Sequence, residues 1–498
     1  LARSNVFTSK GQYSLHDADG RYAEGPQIVL YLLIALISFA AVMYLIIKKV
    51  NAAAAIFFVG VLLLMIAAIS GKAEPSVEIK PSGNSFYDEL LVIEALFKSR
   101  FSGIGMAIMV LFGFVSYMRT IGADAKAVVL LSAPLQKMRG SYWMVPIGFT
   151  IGTALSLIVP SASALSLLLV ATLLPALVAA GLTPLTVAAI IVTSSTIVAT
   201  PLEAGLIQGA DLVGMPISEY VYGNVAKATI PTLVITAFVH MAWQHHCDKV
   251  DERKSALLSS DTTSIQHDTS AVDDALRRAA GLPAYYALLP LLPLLLILVT
   301  AVLHRADLLS FEAGILPVTI VSLFISLIIE SIRHRSLMDA LETVKLFFKG
   351  MGEGAAGVVA LLVAAAVLVE GVTQLGVIDM LINATEGSSG AAVIIILAFV
   401  ASTALMSALT GSGTAPYFAF SEVVPSLAAQ TGVLPVQMLT AIWGTSNLMR
   451  QVSPVNAAVI IVSTAINVSP IKLVKRTSVP MIVATILNVV FAFIFIHV

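Results

Sequence analysis

Apolar runs of about 20 residues, each long enough to cross a bilayer, recur along this chain with short polar stretches between them. In the first half the pattern predicts spans at 27–48, 51–71, 101–119, 183–209 and 227–245. An amphipathic stretch at 84–99, with Asp88, Glu89, Glu94 and Lys98, precedes the third span. A longer apolar region, 141–181, is broken at Pro160-Ser161-Ala162-Ser163. The second half repeats that order, with spans at 283–303 and 311–332, an amphipathic stretch at 335–350 and a span at 353–374. An interrupted region at 390–431, a broken span at 434–466 and a final span at 477–498 follow. The second interruption is Thr410-Gly411-Ser412-Gly413-Thr414-Ala415-Pro416. Flanking landmarks recur too: Thr153-Ala154-Leu155 as Thr403-Ala404-Leu405, and Phe97-Lys98 as Phe348-Lys349. The expected fold is an all-α polytopic membrane protein of about 10 transmembrane helices plus two interrupted hairpin regions, in two sequence repeats.

Composition agrees with this class. Hydrophobic residues make up 58% of the chain and charged residues 11%, far from the soluble average. A net charge of −1 offers nothing to nucleic acid, and a single cysteine, Cys247, excludes an internal disulfide framework. His245-His246-Cys247-Asp248 has metal-ligating residue types, but consecutive helical residues face different ways, so it reads as a polar membrane edge. Residues 1–26 are polar and of mixed charge, without the order of a signal peptide. They read as a polar arm or tag remnant outside the fold. Repeat 1 then covers 27–245, a polar linker 246–282, and repeat 2 283–498.

Loop charge assigns sides, because cytoplasmic loops carry excess Lys and Arg. Lys48-Lys49, Arg119, Lys126, Lys137 and Arg139 read as inside, as do the linker bases Lys249, Arg253, Lys254, Arg277 and Arg278. So do Arg333, Arg335, Lys345, Lys349, Lys472, Lys475 and Arg476. The segments 210–224 (Asp211, Glu219) and 375–390 (Asp379, Glu386) lack bases and read as outside. These sides agree if each interrupted region dips in and returns. Each half then crosses five times, so the second half is inverted. The hairpin 141–181 enters from the cytoplasm and 390–431 from outside. The linker is cytoplasmic and both termini are periplasmic.

Candidate chemistry sits in the breaks. Backbone that leaves the helix at membrane depth must be satisfied by protein, water or ligand. Ser161 and Ser163 in the first tip, and Ser412, Gly413 and Thr414 in the second, are candidates for substrate binding; the competing reading is that small residues only let helices pack closely. The fourth span of each half is broken as well. Ser195, Thr196, Thr200 and Glu203 in the first, with Thr445 and Ser453 in the second, are candidates for coupling to sodium ions or protons. Ser446, Asn447 and Arg450 join the substrate group. Arg450 has no acidic residue within a helical turn, and a guanidinium matches a carboxylate bidentately; alternatively it ties down unwound carbonyls. Glu203 could relay a proton, pair with a cation, or sit near the outer surface and do little.

Four stretches resemble the anaerobic four-carbon dicarboxylate carrier family, the Dcu type C branch of the ion-transporter superfamily. They are Gly113-Phe114-x-x-Tyr117-Met118-x-x-Ile121-Gly122-Ala123, Thr410-Gly411-Ser412-Gly413-x-Ala415-Pro416, Ser446-Asn447-Leu448-x-Arg450-x-x-Ser453-Pro454 and Lys475-Arg476-Thr477-Ser478-Val479-Pro480. The resemblance runs from about residue 30 to the C-terminus. It implies uptake, exchange or efflux of succinate, fumarate and malate across a bacterial inner membrane. It also implies kinship with divalent-anion sodium symporters: homodimers with a fixed scaffold and a moving, elevator-type transport domain. In those relatives Ser-Asn-Thr tips hold substrate and sodium. Here the tips read Ser161-Ala162-Ser163 and Gly411-Ser412-Gly413-Thr414, without the Asn, so sodium and proton coupling both stay open. So does a carrier of another small carboxylate or an amino acid. No His-Glu-x-x-His or Gly-x-Ser-x-Gly occurs, which weighs against a membrane-embedded enzyme.

Overall fold

The computed structural model describes residues 25–71, 73–133, 142–255, 276–277, 279, 281–376 and 391–497. Lys137, Arg139, Arg278, Asp379 and Glu386, used above to assign sides, lie outside the described residues, as do residues 1–24 and most of the linker. Among the described residues all regular structure is helical. Nine helices there are long and apolar enough to cross a membrane. Large apolar side chains on them, such as Phe58, Ile230, Phe324 and Ile394, point outward and exposed, as a lipid-facing surface requires.

The first half begins with α1 (Gly25–Ile47) and α2 (Ala52–Ser70). Asn51 starts α2 by accepting from the amide of Ala54 at 3.1 Å, and Asn84 starts α3 (Ser85–Arg100) by accepting from Phe86 and Tyr87. The amphipathic stretch is not a separate element. It continues through one wide turn, Phe101–Gly105, into α4 (Met106–Thr120). The bend falls at Gly103, whose ψ of −117° is not helical. The second half does the same, with α13 (Leu337–Gly354) running through Ala355–Val359 into α14 (Ala360–Gln374). Between them in sequence come α5 (Ala123–Ser132), α6 (Met144–Ser156), α7 (Ala162–Ala179), α8 (Pro184–Thr193), α9 (Ala204–Val213) and α10 (Ala226–Ser255). A short 3-10 segment (Ala284–Leu291), α11 (Leu292–Arg305) and α12 (Ile315–His334) complete that stretch. Helix α10 runs ten residues beyond the expected end at 245, into the stretch read as linker.

The remainder is α15 (Ala391–Thr410), α16 (Thr414–Ser421), α17 (Val424–Thr431), α18 (Pro435–Met449), α19 (Ala457–Ala465) and α20 (Pro470–Phe495). Helix α4 lies along α13, and α2 along α14. Gly113 and Gly350 set the first crossing: a Cβ on Gly350 would stand 2.5 Å from Cβ of Ser116 and 2.7 Å from the carbonyl oxygen of Phe112. Backbones can approach this closely only where side chains are missing. Helices α10 and α18 both pack on α20. Arms α6 and α7 pack on each other and on α8, and α7 also packs on α19. Arm α15 packs on α16 and α18, and α16 on α9. The second arm of each interrupted region therefore lies against the second piece of the other half's broken span.

Candidate functional site

Each break ends in a helix start held by a side chain. Ser161 accepts from the amide of Ala164 at 3.4 Å, and its hydroxyl lies 3.3 Å from that of Ser163. Ser412 accepts from the amide of Ala415 at 3.2 Å, and its hydroxyl lies 3.4 Å from that of Thr414. The two tips share one local geometry, built from Ser-x-(Ser/Thr)-Ala. In the broken spans Asn456 accepts from the amides of Ala458 and Val459 at the start of α19. Glu203 accepts from the amide of Leu206 at the start of α9 at 2.8 Å. A helix start favours negative charge. At α9 the cap is a carboxyl group, that of Glu203; at α7, α16 and α19 the capping groups are hydroxyls and an amide.

The second tip is seated on the second broken span. Gly411, with φ of +70°, places its carbonyl to accept from Nδ2 of Asn456 at 2.8 Å. A Cβ on Gly411 would meet the Asn456 amide nitrogen at 2.7 Å, and a Cβ on Gly413 would meet Oδ1 of Asn447 at 2.9 Å and Cδ of Arg450 at 3.0 Å. The geometry requires glycine at 411 twice over, for its left-handed backbone and for this approach. Gly411→Ala is therefore expected to unseat the tip. The transport that the resemblance implies should then fall about tenfold or more with expression retained, measured as substrate uptake per folded protein; unchanged uptake would show that the seating is dispensable.

Arg450 reaches across the halves. Its Nη2 donates to the carbonyl oxygen of Ser195 at 2.9 Å, and Nε2 of Gln451 donates to the same oxygen at 2.8 Å. The tie to an unwound carbonyl, one of the two readings drawn from sequence, is present. It uses one edge of the guanidinium; Nε of Arg450 has no partner. No ion pair joins Arg450 to an acid among the described residues; the carboxyl group that acts on it through space is that of Glu203.

The other expected residues divide into engaged and open groups. Ser446 and Asn447 donate back to the carbonyl oxygen of Trp443 at 2.9 and 3.1 Å. Thr200 accepts from the amide of Leu202 at 3.3 Å. Oε2 of Glu203 also accepts from the indole nitrogen of Trp443 at 2.8 Å. By contrast the side-chain oxygens of Thr196, Thr445 and Ser453, and Oε1 of Gln451, are buried without a partner. Ser161 and Ser163 make no hydrogen bond to the Arg450 group among the described residues. Their hairpin turn, through Pro160, shares a cavity of about 20 Å³ with Thr200 and Leu202. The expected list omitted Asn456, Gln451 and Trp443. Asn456 and Gln451 carried a usable signal, polar amides flanking Pro454 inside an apolar run; Trp443 carried none.

A polar clasp beside the second hairpin joins it to α3. Glu422 accepts from Nη2 of Arg100 at 2.6 Å and from Nε2 of Gln208 at 2.8 Å. The quartet His245-His246-Cys247-Asp248 holds no metal set, and no cluster of three or more metal-ligating residues occurs among the described residues. Asp248 instead pairs with Arg476 at 2.6 Å.

Discontinuous helices facing one another inside a helical membrane protein are the architecture of secondary transporters. The solved structure of MtrF from Neisseria gonorrhoeae, from a study describing a class of antimetabolite efflux pumps, shares this fold with a TM-score of 0.54 at 12% identity; the match covers 91% of this chain and 97% of that one. The chain belongs to the C4-dicarboxylate anaerobic carrier family, whose sequence model matches residues 30–497. It is similar to the anaerobic C4-dicarboxylate transporter DcuC of Escherichia coli K12, at 32% identity over 460 residues, covering 92% of this chain and 95% of that protein. A Vibrio cholerae relative is 30% identical over 459 residues, covering 92% of this chain and 96% of its own length.

Proposed function

We propose that this chain is a secondary active carrier of C4-dicarboxylates such as succinate, fumarate and malate, working by alternating access in a bacterial inner membrane. The observation that carries the reading is the seating of the Gly411–Thr414 tip on the break that holds Arg450, whose guanidinium keeps an edge unpaired. One substrate carboxylate lies at Arg450. The second lies at the neutral-capped starts of α7 and α16, among Ser161, Ser163, Ser412, Gly413 and Thr414. Asn447, whose Oδ1 lies beside Gly413, lines the same site with Ser446.

The regions 141–181 and 390–431 are re-entrant hairpins in two inverted repeats, and the hairpins and broken spans move together against a scaffold that includes α4 and α13. The buried, unpartnered oxygens of Thr196, Thr445 and Ser453 support a coupling site in the breaks, with Ser195, Thr200 and Glu203 around it. Hydroxyls and carbonyls suit a sodium ion, whereas Glu203 is the titratable group for a proton. The carrier works as a homodimer, with the linker cytoplasmic and the termini periplasmic.

The test is counterflow of labelled succinate in proteoliposomes, with and without a sodium gradient and with and without a proton gradient. Saturable exchange competed by fumarate and malate is expected, and linear flux without counterflow would make the protein a channel. Ser412→Ala is expected to lower uptake several-fold and Ser412→Trp to abolish it, since an indole would occupy the space before the start of α16 where the substrate carboxylate is placed. Uptake at the wild-type level by Ser412→Trp would remove the tip from the substrate path.

A further inference from the structure

Away from the breaks, two buried carboxylates share one amide. Glu370 and Gln374 lie a turn apart on α14, and Glu89 lies on α3. Nε2 of Gln374 donates to Oε2 of Glu89 at 3.2 Å and to Oε1 of Glu370 at 3.1 Å, which uses both of its hydrogens. Glu370 also accepts from the amide of Ser76 at 2.8 Å and from the Ser76 hydroxyl. Glu89 is 0%, Glu370 4% and Gln374 6% exposed. The charges acting on Glu89 are Glu370 from α14 and Asp88 from its own helix, both negative. Asp88 accepts from the amide of Ser82. Helix α2, packed on both, has no titratable residue, and α14 has none besides Glu370. In the segment 73–84 Glu74, Glu78 and Lys80 are exposed. No basic side chain forms an ion pair with Glu89 or Glu370 among the described residues.

Two atoms of this cluster are buried without a partner, Oε1 of Glu89 and Oε1 of Gln374. Both are acceptors when Glu89 is ionised. They belong to the two groups already joined through the remaining oxygen of one and the nitrogen of the other. We propose that the Glu89–Glu370 pair is a proton-binding site, holding one proton on Oε1 of Glu89. That proton turns Glu89 into a donor to Oε1 of Gln374 and closes a two-bonded acid–amide ring. Glu370 keeps the Ser76 amide and hydroxyl and the Gln374 amide as its donors. Two buried carboxylates joined through one amide, with no basic partner among the described residues, cannot both stay ionised at acceptable cost. The site lies at the joint of the 73–84 segment, α3 and α14, and involves no residue of the hairpin tips.

Infrared spectroscopy of the carboxylic-acid C=O stretch in the purified carrier tests this. At neutral pH the difference between the wild-type and Glu89→Gln spectra is expected to show the band of one buried acid. Glutamine reproduces both the donor and the acceptor of the protonated acid, so that variant should melt at or above the wild-type temperature. In Glu370→Gln the neighbouring charge is gone, so Glu89 ionises more easily and the band fades at lower pH than in the wild type. Gln374→Met removes the ring partner and should shift the band's frequency. A wild-type minus Glu89→Gln difference spectrum without that band, a band lost only in Glu370→Gln, or one that keeps its frequency in Gln374→Met would overturn the assignment.

Discussion

Replacing Arg450 by alanine is expected to abolish dicarboxylate uptake in proteoliposomes while leaving the carrier folded. The separation of the two effects comes from Ser195. Its carbonyl accepts from Arg450 at 2.9 Å and from Gln451 at 2.8 Å, so one donor remains after the substitution and the break keeps its main tie. What disappears is the guanidinium edge left unpaired beside the second tip. Losing a charged partner for a desolvated carboxylate costs a few kcal/mol, on the order of 100-fold or more in transport at subsaturating substrate. Arg450→Lys keeps the charge without the planar fork and should recover only a small part. Gln451→Ala serves as the control, since it loosens the same carbonyl without touching the charge. Equal losses in Arg450→Ala and Gln451→Ala would mean that the arginine acts only through Ser195.

Arg476→Ala is expected to have the largest effect on stability. Arg476 is 4% exposed and donates to Asp248 and Asp251, each at 2.6 Å. Asp248, 3% exposed, also accepts from Thr183 at 3.0 Å, from Thr186 at 2.8 Å and from the hydroxyl of Tyr142. One ion pair thus fastens α20, α10, the start of α8 and the start of the first hairpin. Asp251, half exposed, adds little. Without the arginine a buried carboxylate is left among neutral donors, a loss of about 3–5 kcal/mol. Thermal unfolding in detergent should show it as a large fall in melting temperature. The double variant Arg476→Met, Asp248→Leu should recover much of the loss, because it leaves no uncompensated charge. A single variant melting with the wild type would show that the clasp carries no stability.

Much of this molecule was legible along the chain. Hydropathy located the helices to within a few residues in most cases, because burial in lipid is a property of each segment. Pro160, Gly411, Pro201 and Pro454 marked the breaks, since proline and glycine act on their own backbone wherever they fall. The hydroxyls around them were visible for the same reason. Element ends were less legible: α10 continues past His245, and the amphipathic stretches continue into the spans behind them through single wide turns. Polarity there announced an end that the backbone did not need.

The sequence by itself determined the membrane class, the order of helices and breaks, the small polar residues in those breaks and the family. Only the tertiary structure decided who pairs with whom. Arg450 meets Ser195 at a separation of 255 residues, Trp443 meets Glu203 at 240, and Arg476 meets Asp248 at 228. Glu89 and Gln374, at 285 apart, share a bond that neither helix announces. Local pattern reports the solvent that a segment prefers and the dihedral angles its residues allow. The partner of a buried charge is set instead by packing among segments distant in sequence, where strong polar interactions must be satisfied once water is gone.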